Sequence, residues 1–210
     1  VTVDLQPAPF IARLNPDGTV DTSFNVLTNA PNGVVQALAL APSGQIYIGG
    51  DFTMLGGAVR HHVARLNADG SLDTAFDPAP GTDGTVFALA LQNDGRLLIG
   101  GEFSEVALTP RTRLARLNTN GQVDFTFDPG LGPNNTVYSI TVGPSGQIYV
   151  GGLFSRFNGT HRLCFTRLHA DGTVDSTFMD TAFNQFAGIH RQYFDEFNYV
   201  LTSGVQSDGN

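Results

Sequence analysis

Four times the chain spells Arg-Leu followed by Asn or His, then Gly, then Asp. The copies are Arg13, Asn15, Asp17, Gly18, Asp21; Arg65, Asn67, Asp69, Gly70, Asp73; Arg116, Asn118, Asn120, Gly121, Asp124; and Arg167, His169, Asp171, Gly172, Asp175. The stretch Asn-x-Asp-Gly-x-x-Asp carries the oxygen donors of the latter part of a calcium loop. Such a loop normally opens on Asp, whereas each copy here opens on Arg, which cannot coordinate a cation and repels it. The pattern fits a hairpin better. With a three-residue turn and Gly in the left-handed position, Asn67 pairs with Ser71 and Arg65 falls opposite Asp73. The same register sets Arg13 against Asp21, Arg116 against Asp124 and Arg167 against Asp175, so a structural ion pair is expected in every copy and no metal.

Catalytic constellations are sparse. His61 and His62 are adjacent, and neighbours on a strand point to opposite faces, which does not suit one metal. No Gly-x-Ser-x-Gly elbow is present, and Cys164, the single cysteine, has no evident base and reads as a buried structural thiol. Asp51 and Glu102 occupy equivalent places in successive copies and could begin a ring of carboxylates, but Leu153 breaks it. No enzyme activity and no cofactor are expected. A hydrolase or lyase is the alternative, with acids, His or Arg converging on one loop face.

The elements that position these residues repeat as well. Gly49-Gly50-Asp51-Phe52, Gly100-Gly101-Glu102-Phe103 and Gly151-Gly152-Leu153-Phe154 recur every 51 residues, the mark of one supersecondary unit stacked on copies of itself. A unit spans residues 35–76 and holds four short strand-like runs: 35–40, 45–50, 62–67 and 71–76. The order returns at 86–127 and 137–178, while residues 11–24 hold only the third and fourth runs. Helical spacing is nowhere sustained. The fold class expected is all-β: a propeller of four-stranded antiparallel blades. Residues 1–210 then form one propeller segment, a partial ring or part of a larger one, with a next blade beginning at 200–210. The glycine pairs mark close backbone approach or a bulge, and the recurrent Phe24, Phe76, Phe127 and Phe178, with Phe52, Phe103 and Phe154, are expected to pack between blades.

Composition narrows the partners. The 210 residues carry a net charge of -8, with 41% apolar and 14% charged residues, which argues against a phosphate-backbone ligand. No apolar run approaches the roughly 18–20 residues that cross a bilayer. No nucleic acid and no membrane insertion are expected. All eleven basic residues are Arg. No signal segment opens the sequence, so any such signal is expected upstream.

The phrase Arg-Leu-Asn-x-Asp-Gly-x-x-Asp-x-x-Phe, followed by Val-x-Ala-Leu-Ala and Ile-x-Ile-Gly-Gly-Asp-Phe, resembles the delta-60 repeat family of bacterial β-propeller-like proteins, over residues 11–178 and again at 204–210. Departures are His169, Leu153 and the degenerate stretch 179–203. The resemblance implies a secreted or cell-surface bacterial protein beside adhesion-type domains, and carries over no catalytic residues.

Binding residues are expected where loops vary on a rigid scaffold. In this blade order those are the loops after the second and fourth runs. They supply Asp51, Arg60, His61, Glu102, Arg111, Arg156, His161 and Arg162. About 12 extra residues lie in the last such loop, within 179–199, and bring His190, Arg191, Tyr193 and Asp195 among several Phe residues. The function expected is a scaffold, adhesion or protein-interaction module, with self-association or another protein as partner. A carbohydrate-binding propeller is the alternative, weakened by the absence of Trp.

Overall fold

The structure is a computed structural model that describes residues 2–3, 6–7, 10–24, 30–178 and 201. The insert at 179–199, with His190, Arg191, Tyr193 and Asp195, lies outside the described residues, as does the blade start at 200–210 apart from Leu201.

Strands β1 (Thr2–Val3) and β2 (Gln6–Pro7) form a small ladder, and three copies of one unit follow. The first unit holds β3 (Val35–Leu40), β4 (Ile46–Gly50), β5 (Met54–Leu55), β6 (Ala58–Val59) and β7 (Val63–Leu66). The second holds β8 (Val86–Leu91), β9 (Leu97–Gly101), β10 (Glu105–Val106), β11 (Thr109–Pro110) and β12 (Leu114–Leu117). The third holds β13 (Val137–Val142), β14 (Ile148–Gly152), β15 (Arg156–Phe157), β16 (Thr160–His161) and β17 (Phe165–Leu168). In each, the glycine-ended strand is central and antiparallel to both neighbours, as in the sheets β3-β4-β7, β8-β9-β12 and β13-β14-β17. The innermost strands β3, β8 and β13 lie side by side from one unit to the next. The described residues thus hold three successive blades of an all-β propeller and no closed ring.

The fourth strand is shorter than the run predicted for it. A single bridge, Leu66 to Leu72, and the hydrogen bonds Asn67 N to Ser71 O (2.8 Å) and Asp73 N to Arg65 O (2.9 Å) hold it to β7. The ladder stops there because Asp73 Oδ1 accepts the Ala75 N–H at 2.9 Å and turns the chain away.

The second departure from expectation lies in the loop between the second and third runs, which is a small hairpin in every unit. Two-residue strands escape a periodicity argument, although Gly56-Gly57 and Asn158-Gly159 are turn pairs of the type that closes a tight hairpin. Both central residues have positive φ: 55° and 79° at Gly56 and Gly57, 46° and 77° at Asn158 and Gly159. The second unit places Ala107 and Leu108 in the same conformation, at 50° and 60°. A left-handed residue with a Cβ costs about 1–2 kcal/mol, and the Leu108 side chain, 77% exposed, buries little in return. Leu108→Gly is therefore expected to stabilise the protein by about 0.5–1 kcal/mol after the added freedom of the unfolded chain is offset. Urea denaturation checks this through a raised midpoint at constant slope.

The core sits between blades. One cluster joins Tyr47, Val63 and Phe76 of the first blade to Val86, Leu97, Ile99 and Phe103 of the second. Another joins Leu98, Leu114 and Phe127 to Val137, Ile148 and Phe154, and a third sets Phe24 against Ile48 and Phe52. Each glycine pair serves this packing twice. A Cβ on Gly49 would lie 2.7 Å from Val86 Cγ1, and one on Gly100 2.5 Å from Val137 Cγ1, so the first glycine admits the next blade. A Cβ on Gly50 or Gly101 would lie 2.1 or 2.0 Å from the carbonyl oxygen of Val34 or Thr85, so the second lets the innermost strand bulge against it.

Candidate functional site

The repeated Arg and Asp meet in all four copies. Arg Nε lies 2.8 Å from Asp Oδ2 for Arg13–Asp21 and Arg65–Asp73, 2.7 Å for Arg116–Asp124 and 2.8 Å for Arg167–Asp175. The other carboxylate oxygen accepts a backbone N–H two residues on, from Ser23, Ala75, Thr126 and Thr177. The Asp of the turn is spent in the same way: Asp17, Asp69 and Asp171 accept from Thr19, Ser71 and Thr173. The oxygens that suggested a cation loop are thus turned onto the protein's own donors, and among the described residues no cluster of three or more His, Cys, Asp or Glu is placed to hold a metal.

These hydrogen bonds hold Asp175 well below its ordinary value of 3.8, at about 2: the Thr177 hydroxyl contributes most, burial opposes, and Arg167 adds to it. Asp124 is pushed further down, since donors from Thr126, Arg96 and Arg116 outweigh its burial.

Three of the four arginines also reach beyond their own hairpin. Arg65 Nη1 donates to Thr119 O at 2.9 Å and Arg116 Nη1 to Ala170 O at 2.6 Å, both in the terminal turn of the next blade, and Arg13 Nη1 donates to Ala68 O. The guanidinium lies over the unit's Phe, 5.2 Å from the Phe76 centroid, 4.9 Å from Phe127 and 4.6 Å from Phe178. One side chain therefore pins its own hairpin and clips it to the following blade. For Arg167 the described residues supply no such carbonyl.

The loop face holds the other expected residues separately. Arg60 Nη1 lies 3.3 Å from Asp77 and Arg156 Nη1 donates to Gly159 O at 3.2 Å. Arg111 donates to Pro110 O and lies over Phe125 at 5.3 Å. Arg162 is buried and donates to the carbonyl of His161, whose ring is partly buried. Asp51 accepts from the Thr85 hydroxyl at 3.0 Å, Glu102 is exposed, and His61 bonds its neighbours through its backbone. No hydrogen bond or ion pair among the described residues joins any two of these from different units. The His61 and His62 rings stand 6.0 Å apart and tilted, His62 Nδ1 lying 2.8 Å from Thr82 O. Cys164 is buried, and burial pushes its thiol up.

Reasoning from types and spacing missed the residues that hold the hairpins. Asn32 Oδ1 accepts the N–H groups of Thr53 and Met54, Asp83 Oδ1 those of Ser104 and Glu105, and Asn134 Oδ1 those of Ser155 and Arg156. Their spacing of 51 residues was the available signal. Only Asp83 is ionisable. Burial pushes its carboxyl up, but the donors from Ser104 and Glu105 outweigh it and hold the group below 3.8. A folded value below the unfolded one stabilises above the unfolded pKa, and that stability is lost as pH falls through the folded value. Asp83→Asn, which copies the other two units, is expected to melt below the wild type at neutral pH, a gap that closes at a pH below the lowered folded value of Asp83. Thermal scans at the two pH values measure it.

A cavity of about 400 Å³ opens between the first two blades, on the face opposite to the hairpins. It is lined by Pro42, Gln45 and Tyr47 of the first blade and by Leu91, Gln92 and Asn93 of the second, with Arg65 and Thr119 also contributing.

Three like blades, packed through their glycine-ended strands and clipped by arginine, define a β-propeller repeat protein. The chain belongs to the family described as Domain of unknown function (DUF5122) beta-propeller, which matches residues 2–24, 41–76, 92–127 and 143–178. Comparison with curated proteins found no match.

Proposed function

We propose that this chain is a non-enzymatic interaction module that associates with further copies of itself, blade face to blade face. One observation carries the reading: Leu38, on the incoming face of the first blade, is 58% exposed, whereas its counterpart Ile140 in the third blade is 8% exposed. Leu40 and Val34 extend that apolar face. Residues 11–24 fill part of that face, with Phe24 packed on Ile48 and Phe52, and leave the strip around Leu38 open. Tyr149 and Phe178 on the outgoing face of the third blade are half-buried, where Tyr47, Phe76 and Phe127 are covered by the next blade. An open apolar strip on the first blade and half-buried aromatic rings on the third can join copies in a head-to-tail contact, which closes into a ring if the rotation permits. An exposed apolar face of this kind is the usual mark of an interaction surface.

In this reading the repeats are of the delta-60 kind, which supports placement in a secreted or cell-surface bacterial protein. The test is light scattering on the purified chain beside Leu38→Asp, an exposed position where the substitution leaves the fold intact. A defined assembly that the substitution dissociates to monomer is expected. A wild-type monomer at concentrations of about 100 μM sinks the proposal.

A further inference from the structure

The cavity between the first and second blades has a counterpart that the protein fills for itself. Gln45 corresponds to Arg96 one unit later, and Ser43 to Asp94. Arg96 bridges Asp94 at 2.7 Å and Asp124 at 2.9 Å, laying a charged side chain along the second blade. In the first unit Gln45 is too short and lacks the acid at position 43, so the space of about 400 Å³ stays open. That volume falls in the usual range for a small-molecule site.

Its chemistry is neutral and polar. The lining residues include no Asp or Glu, and Arg65 sets Nε on Asp73 and Nη1 on the Tyr47 hydroxyl and Thr119 O. An anion would meet a guanidinium whose charge Asp73 already balances at 2.8 Å, and a cation would find no carboxylate. What remains are the amides of Gln45, Gln92 and Asn93 beside the apolar Pro42 and Leu91: all three carry donors, and the oxygens of Gln45 and Gln92, which accept from Ser43 and Arg116, each keep a second lone pair. Paired amides next to an apolar wall complement a ring that carries hydroxyls on its rim and C–H groups on its face.

We propose that this crevice binds a neutral saccharide unit, contacted by Gln45, Gln92 and Asn93. The site shares one residue, Leu40, with the self-association face; Gln45, Gln92 and Asn93 are not part of that face.

Saturation-transfer NMR with glucose, galactose, mannose, N-acetylglucosamine, cellobiose and lactose, each at about 20 mM, tests the proposal; glucuronate serves as the anionic probe. Transfer to at least one neutral sugar is expected, with a Kd in the millimolar range or tighter. The double variant Ser43→Asp/Gln45→Arg copies the filled crevice, its new Arg facing Asp73 as Arg96 faces Asp124, and is expected to weaken binding at least about tenfold while melting no lower than the wild type. Gln92→Ala provides a second variant, with weakened binding expected. No transfer to any neutral sugar, transfer to glucuronate alone, or transfer that survives unchanged in both variants would overturn the proposal.

Discussion

Arg116→Ala is expected to destabilise the protein by about 2–3 kcal/mol: Asp124 loses its buried partner, while Arg96 stays bound to it at 2.9 Å. The side chains of Arg116 and Asp124 are each 5% exposed, and besides Asp124 the guanidinium holds Ala170 O in the next blade and the Thr126 hydroxyl. A loss of that size is a large fraction of the roughly 5–15 kcal/mol that holds a typical domain together. Water access ranks the equivalent positions. Arg65, at 10% side-chain exposure, is expected to follow closely, whereas Arg13, at 38%, should cost about 1 kcal/mol or less, as solvated pairs do. The double variant Arg116→Met/Asp124→Leu is expected to lose less than the two single variants summed, because neither buried charge is left facing a lost partner and the more exposed Arg96 keeps Asp94. Urea denaturation of the four proteins measures the coupling; strict additivity would mean that the pair does not act as a unit.

Gly101→Ala is the second large effect, about 3 kcal/mol. The added Cβ would lie 2.0 Å from Thr85 O and 3.0 Å from Thr85 C, both backbone atoms, so relief requires moving the innermost strand at its bulge. Gly159→Ala is the control. A Cβ there meets nothing within 4 Å, but its φ of 77° charges the ordinary left-handed penalty, so a loss of about 1 kcal/mol is expected. Equal losses at the two sites would refute the claim that position 101 is set by contact between strands.

How far the fold could be read in advance depended on the range of each interaction. Arg65 and Asp73 are eight residues apart across a tight turn, so turn type and alternation sufficed to place them face to face, and the same local rule covered the other three copies. The glycine pairs announced themselves by recurrence. The hairpin of Met54–Leu55 and Ala58–Val59 did not, because two residues per strand give no period to detect. The candidate site was less legible. The loop residues selected by variability are scattered over separate hairpins, whereas the cavity lies on the opposite face, among turns set aside as repetitive.

By itself the sequence determined the repeating blade, its strand order and the pairing of Arg with Asp, since chain connectivity and side-chain alternation act within a unit. The clip from Arg65 to Thr119 O, 54 residues away, the exposed incoming face at Leu38 and the crevice that Gln45 leaves open were decided only by tertiary structure. Each depends on which surface of one blade meets the next, and that is fixed by packing between units rather than by the order of residues within one.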